Sequence, residues 1–224
     1  MPRKFRLFIF FGSGILGLLL VMSLGLYWAS RYEPAFYRQA LAADAAAQEK
    51  GSEQMLRQAL AFQNSLKREG AWQATFTAEQ INGWLAFDLR RNHPQALPAE
   101  FHEPCVAIQP SCLQLACRYE NGPTSSVLCL TVEPYVPEPN VLALRIVRAR
   151  AGLLPLPLGD VLKSISQAAQ NAECKLSWGQ ADGDPVALIA FPSPGEKGEM
   201  AITIKTVRLS EGKIYISGST RKNK

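Results

Sequence analysis

Hydrophobic and polar residues follow three different rhythms along this chain. Residues 7–28, LFIFFGSGILGLLLVMSLGLYW, have no rhythm at all: 22 positions pass without a charge. From Pro34 to about Arg91, apolar positions recur at three- and four-residue intervals, the period of a helix. From Cys105 onward they alternate, the period of a strand. The pattern predicts an α+β protein: an N-terminal transmembrane helix followed by helices packed on a curved, mainly antiparallel sheet.

The uncharged run comes first. A helix of that length spans about 33 Å at 1.5 Å per residue, enough for the ~30 Å hydrocarbon core of a bilayer. Gly12, Gly14, Gly17 and Gly25 would weaken a helix in water but are common in membrane helices. Arg3, Lys4 and Arg6 flank its N-terminal end, and no acid does. The positive-inside rule then keeps residues 1–6 as a cytoplasmic tail and sends the rest across. Tyr27 and Trp28 fall where an interfacial aromatic belt belongs. The competing reading is a cleaved signal peptide, which has a shorter apolar core and small residues before the cut. Here the run is longer, and bulky Tyr27 occupies the critical position before Ser30. The expectation is a single-pass protein of the inner (cytoplasmic) membrane with its domain extracytoplasmic.

Residues 29–70 read as a helical membrane-proximal segment. PAFYRQALAADAAAQEK is Ala-rich behind Pro34, which suits a first helical turn. Gly51 and Ser52 are expected to interrupt it before Met55, Ala59, Phe62 and Leu66 form one apolar stripe. Residues 71–220 make the α+β domain and 221–224 a basic tail. Within the domain, Thr77 followed by Gln80 is a capping box, and Phe76 with Ile81 a hydrophobic staple. That helix is expected to run from Ala78 to about Arg91, with Ile81, Trp84, Leu85 and Leu89 inward and Asn82 in a local hydrogen bond.

The strands carry the most information. Residues 112–119 put Leu113, Leu115, Cys117 and Tyr119 on one side, with Gln114 and Arg118 on the other. Residues 125–133 give Leu128, Leu130 and Val132 one face, and 140–148 do the same for Leu142, Leu144 and Ile146. Asn121-Gly122-Pro123 and the Pro-rich stretch 134–139 supply turns, so these runs predict an antiparallel meander. AGLLPLPLGDVL then bends at Pro155 and Pro157 into a helix striped by Leu158, Val161, Leu162 and Ile165. Three more strands are expected near 185–191, 200–209 and 213–218. Strict alternation places Arg145 opposite Arg148 and Arg150.

Charge excludes one function class. The net +5 sits at the ends, in Arg3, Lys4 and Arg6 and in Arg221, Lys222 and Lys224. The chain between them is close to neutral, at net −1, so no nucleic-acid footprint is present. Two histidines, His93 and His102, leave few candidates for a catalytic dyad, and no nucleophile elbow, phosphate loop or His-Glu-x-x-His helix occurs. Asp182 and Asp184 are turn residues before a strand. A zinc reading would combine His102, Cys105, Cys112 and Cys117, but Cys112 and Cys117 are spaced too widely for a tight ligand pair. The five cysteines, with Cys129 and Cys174, read mostly as small core residues, with one disulfide open as an alternative. No catalytic residue, cofactor or metal is expected.

The order of elements resembles the YpmS-like membrane-anchored bacterial proteins. The resemblance rests on the anchor, a helix opening FTAEQINGWL, the alternating strands, and AGLLPLPLGDVL leading into a helix. It extends over most of residues 30–220, and the five cysteines and the long Ala-rich first helix depart from it. It implies a domain akin to the tubular lipid-binding modules, a curved sheet wrapped around a helix with an apolar interior. The expected function is a non-catalytic extracytoplasmic module for a lipid or other apolar ligand. Leu113, Leu115, Leu128, Leu130, Leu142, Leu144 and Ile146 would line its cavity. The alternative is an anchored envelope scaffold in which those residues form a closed core. The membrane is the expected partner, with a lipid as ligand; protein partners are not specified.

Overall fold

The computed structural model describes the backbone of residues 3–93, 96–122, 124–171, 175–191 and 200–222, with side chains from Leu16 onward except at 168 and 171. Cys174 and the ends of the two basic tails lie outside these ranges. Helix α1 (Arg3–Ser30) is followed by α2 (Ala35–Leu41) and α3 (Ala45–Leu66). Strand β1 (Gly70–Thr77) leads into α4 (Ala78–Gly83), a π-turn (Trp84–Asp88) and α5 (Leu89–Asn92). Next come β2 (Phe101–Ile108), β3 (Leu113–Asn121), β4 (Thr124–Glu138), β5 (Val141–Ala151), β6 (Leu154–Pro155) and α6 (Leu158–Asn171). The last strands are β7 (Leu176–Ala181), β8 (Asp184–Ala190), β9 (Met200–Ser210) and β10 (Lys213–Lys222).

The architecture is α+β. One sheet has seven strands, ordered β2-β3-β4-β5-β8-β7 with β6 against β5, and it is not closed into a barrel. A second has the order β1-β10-β9. Every pairing is antiparallel. The meander over 112–148 is present, but 134–138, expected as a turn, continue strand β4, and the turn falls at 139–140; the hairpin at Glu211-Gly212 joins β9 to β10 with Gly212 at φ 68°. Strand β1 was not expected, although its signal was there: Trp72, Ala74 and Phe76 alternate and are all buried. The stripe on α3 meets these residues, with Phe62 edge-on to Trp72 at 5.3 Å and to Phe76 at 6.1 Å.

Gly51 and Ser52 do not break the helix. They lie buried inside the continuous α3, where it crosses α4 with backbones nearly touching. A Cβ on Gly83 would stand 2.6 Å from the Gln48 carbonyl oxygen, and one on Gly51 2.8 Å from that of Glu79. Glycine is at the crossing because any side chain would force the helices apart. The capping box forms as the sequence indicates, Gln80 N–H donating to Thr77 Oγ1 at 3.2 Å and Thr77 N–H to Gln80 Oε1 at 3.0 Å. Beyond it the π-turn inserts an extra residue and rotates the helix. The deepest side chains after the turn are consequently Asp88 and Leu89, while Ile81, Trp84 and Leu85 are half-buried.

Helix α1 contains the uncharged run. From Leu16 to Trp28 every residue is exposed, Trp28 at 70%. The helix with described side chains, 16–30, covers about 22 Å at 1.5 Å per residue; among the described residues no helix is long and apolar enough to cross a membrane.

Candidate functional site

Register determines which side chains share a face, and it brings all seven expected cavity residues together. Leu113 pairs with Val132 and Leu115 with Leu130. Val132 pairs in turn with Ile146, Pro134 with Leu144, and Leu128 with Ala151. Leu113, Leu115, Leu128, Leu130, Leu142, Leu144 and Ile146 therefore lie on one face of β3, β4 and β5, joined from β2 by Val106 and Ile108.

Burial along this face is uneven: it is closed in a middle row and half-open on either side, where Leu142, Leu144 and Pro134 are half-buried at one end. In the row Ile108–Leu113–Val132–Ile146, three residues are buried, Ile146 at 1% and Val132 at 3% exposure. There α4 and the π-turn pack on β2, and β9 lies along β4. In the next row, Leu115 is 41% exposed and Leu130 half-buried, and beyond them Cys117, Leu128 and Ala151 are half-buried as well. The half-open side at Leu115 and Leu128 is the one nearest α1. Leu153 N–H donates to the Ala29 carbonyl at 2.9 Å, Ser126 Oγ to the Ser30 carbonyl at 2.6 Å, and Gly152 N–H to the Val127 carbonyl at 2.8 Å.

Near α1 the opposite face is covered by α2. Tyr37, with no exposed surface, packs on Cys105, Ala116 and Val127, flanked by Phe36, Ala40 and Leu41. This face was expected to be the polar one because it holds Gln114 and Arg118. Arg118 is accommodated by ion pairing: its Nη2 lies 2.9 Å from Glu33 Oε1 and its Nε 3.1 Å from Glu103 Oε2. Burial works against its charge, but the bonds to Glu103 and Glu33 outweigh that and hold the guanidinium firmly protonated. Tyr37 hydroxyl donates to the same Glu103 oxygen at 3.4 Å, and burial raises its pKa despite the nearby Arg118. This network ties the segment after α1 to the sheet.

The arginines of β5 require a correction. Thr131 pairs with Arg148 but Val132 with Ile146, so Val147 is an extra, bulged residue. The bulge inverts the alternation, and Arg145, Arg148 and Arg150, opposite Glu133, Thr131 and Cys129, share one face. Arg145 is neutralised by Glu133 and by Asp182, the latter at 2.8 Å. Arg150 lies beside Cys129, its Nε buried and without a protein partner among the described residues.

Cys105, Cys112, Cys117 and Cys129 are free thiols, three of them buried. Burial pushes Cys105 up to about 12 and Cys117 to about 11, and also raises Cys129 against the pull of Arg150. These are packed side chains, far from the low pKa of a reactive thiolate. Among the described residues no group of three His, Cys, Asp or Glu is close enough to hold a metal.

None of the seven face residues lines either of two clefts on the surface. One, of about 300 Å³, lies between the end of α3 and the start of β1 at Asn64, Arg68 and Glu69. The other, of about 200 Å³, collects Leu89, Leu97 and Phe101 with both histidines, His93 and His102. Sequence reading left these histidines apart. Each stands 3.9 Å from a carboxylate, His93 from Asp88 and His102 from Glu120, beyond hydrogen-bond reach for an activated dyad. The class of protein defined here is an α+β module whose open sheet has one face partly covered by a helix and one apolar face that is part closed and part half-open. No protein-family model matches the chain, and no characterised protein or solved structure does either.

Proposed function

We propose that this is a non-catalytic module, anchored in the inner membrane by residues 7–28 with its domain extracytoplasmic, that holds a lipid or other apolar molecule on the leucine face. The single supporting observation is the apolar surface left uncovered on that face beside the end of α1, with Leu115 41% exposed and Leu128 and Leu130 half-buried. From Ala151 to Leu142 the face extends about 30 Å at 3.3 Å per residue, the length scale of an extended acyl chain. Apolar sheet surface left half-exposed costs stability unless something covers it, and an acyl chain rising from the adjacent bilayer would cover it. The likeness to YpmS-like anchored proteins is in keeping with this reading.

A second reading, an envelope scaffold with a closed core, draws on the burial of Ile146 and Val132 and on the position of both clefts away from this face. One substitution separates the two. Leu130→Trp would occupy the ligand's place on a binding face, lowering co-purified lipid measured by extraction and mass spectrometry while the melting temperature holds. In a closed core it overpacks, costing about 1–3 kcal/mol. Lipid-free wild-type protein together with a destabilised Leu130→Trp variant would leave the scaffold. For topology, a reporter active only outside the cytoplasm, fused after Lys224, should be active, and the mature protein should retain residues 7–28.

A further inference from the structure

We infer that the loop 152–158, GLLPLPL, is a second membrane-contacting element, seated in the interfacial layer of the bilayer beside the end of α1. The inference rests on the anchor reading above and goes beyond it, since a tethered domain has no need to touch lipid.

The loop is locked to the point where the chain leaves α1. A helix ends with unpaired carbonyls that need donors, and here the sheet domain supplies two of them. Leu153 N–H reaches the Ala29 carbonyl and Ser126 Oγ the Ser30 carbonyl. The other carbonyls are met locally, Trp28 by Arg31 N–H and Tyr27 by Ser30 Oγ. The approach is so close that a Cβ on Gly152, at φ 61°, would stand 2.6 Å from the Ser30 carbonyl oxygen. The loop therefore cannot swing away from α1 without breaking these bonds, and its height relative to the bilayer follows from that of Ala29.

That height is interfacial. Tyr27 and Trp28, two residues and one residue before Ala29, are exposed aromatics, and Arg31 sits over the Tyr27 ring at 4.8 Å. Rings that keep an apolar body and a polar edge, with a cation just outward, belong to the headgroup boundary. At 1.5 Å per residue the Ala29 carbonyl is only a few Å from that level, while interfacial elements bury about 5–10 Å into it.

The composition of the loop fits the same layer. Residues 152–159 carry no charge, and Leu153 is 50% exposed with Pro155 and Pro157 also exposed. Leu154 and Leu156 are half-buried. The loop touches the end of α1, and along the sequence its uncharged run lies between Arg150 and Asp160. Its proline rings and backbone bonds to α1 hold it in shape, so little order remains to be gained on insertion.

The test uses the full chain in nanodiscs of phosphatidylethanolamine and phosphatidylglycerol, with a photoreactive diazirine analogue of leucine placed singly at position 20, 153 or 215. Leu20 reports on the anchor, and Tyr215, 44% exposed on β10, reports on the aqueous surface. The proposal predicts lipid adducts at 153 within about threefold of those at 20 and about tenfold above those at 215, as for a side chain in the interfacial layer. Adducts at 20 but not at 153, or adducts at 153 to protein instead of lipid, overturn the loop proposal and leave the anchor standing. Adducts at neither 20 nor 153 remove the anchor reading and this inference with it. Equal adducts at 153 and 215 also overturn it. Unchanged melting of the position-153 variant confirms that it is folded, as expected for an exposed site.

Discussion

Asn82 and Asn140 do the same work at two joints of the molecule. Asn82, on α4, donates to the Val106 carbonyl at 2.9 Å and accepts from Val106 N–H at 2.7 Å, so one side-chain amide pairs with the outer edge of β2 as a neighbouring strand would. Asn140, at the tip between β4 and β5, donates to the Ile202 carbonyl and accepts from Ile204 N–H, joining the seven-stranded sheet to β9. Val106 is buried, so Asn82→Ala leaves two backbone groups unpaired away from water. The expected loss is about 2–4 kcal/mol in urea unfolding. At φ 66°, Asn140 is also in the left-handed region. Asn140→Ala and Asn140→Gly both lose the amide bonds, but only alanine strains the backbone, and it should be the less stable by about 1 kcal/mol. Equal stability of the two would mean that the conformation at 140 relaxes on substitution.

Elements in this fold are placed by contacts between backbones more than by broad apolar faces. The crossing of α3 and α4 at Gly51 and Gly83 has room for no side chain, so Gly83→Val should cost about 3 kcal/mol by overpacking. Thr77→Ala, one turn earlier, removes only a cap bond and should cost about 1 kcal/mol. The contrast is measurable by chemical denaturation of the two variants side by side. The bulge at Val147 acts on the same scale. One extra residue lets Leu142, Leu144, Ile146, Ala149 and Ala151 stay on the apolar face while the arginines gather on the other.

The whole molecule responds to alkali through its thiols. Cys105 and Cys117 hold their protons to about 12 and 11, above the ordinary 9.0. Between pH 9 and these values the folded chain binds protons that the unfolded chain has already lost. Stability therefore falls as pH rises across that window and is unaffected by these groups below it. Thermal midpoints should be flat from pH 7 to 8.5 and decline above pH 9, with a shallower decline in Cys105→Val. Alkylation by iodoacetamide at pH 8 should be slow in the folded protein and fast in denaturant. At the same end of the sheet, the Glu33–Arg118–Glu103 network and the Gly152 contact join the end of α1 to β3 and β5. The domain is thus held in one orientation to α1.

Local rules settled what local chemistry controls. The capping box at Thr77, the helical stripe from Met55 to Leu66, the meander from Leu113 to Ile146 and its single leucine face all follow from spacing, because side-chain direction repeats with a fixed period inside an unbroken element. Tertiary structure decided where the period itself changes and what lies across from each face. A bulge at Val147 and a π-turn from Trp84 leave no mark in composition, since each is one residue inserted to satisfy packing elsewhere. Gly51 and Ser52 look like a helix break until a second helix is found against them. Tyr37 and the small residues Cys105, Ala116 and Val127 form the buried core on the face that Gln114 and Arg118 made look polar. That face could close near α1 only because Glu33 and Glu103, 85 and 15 residues from Arg118 in the chain, converge on its charge in the folded molecule.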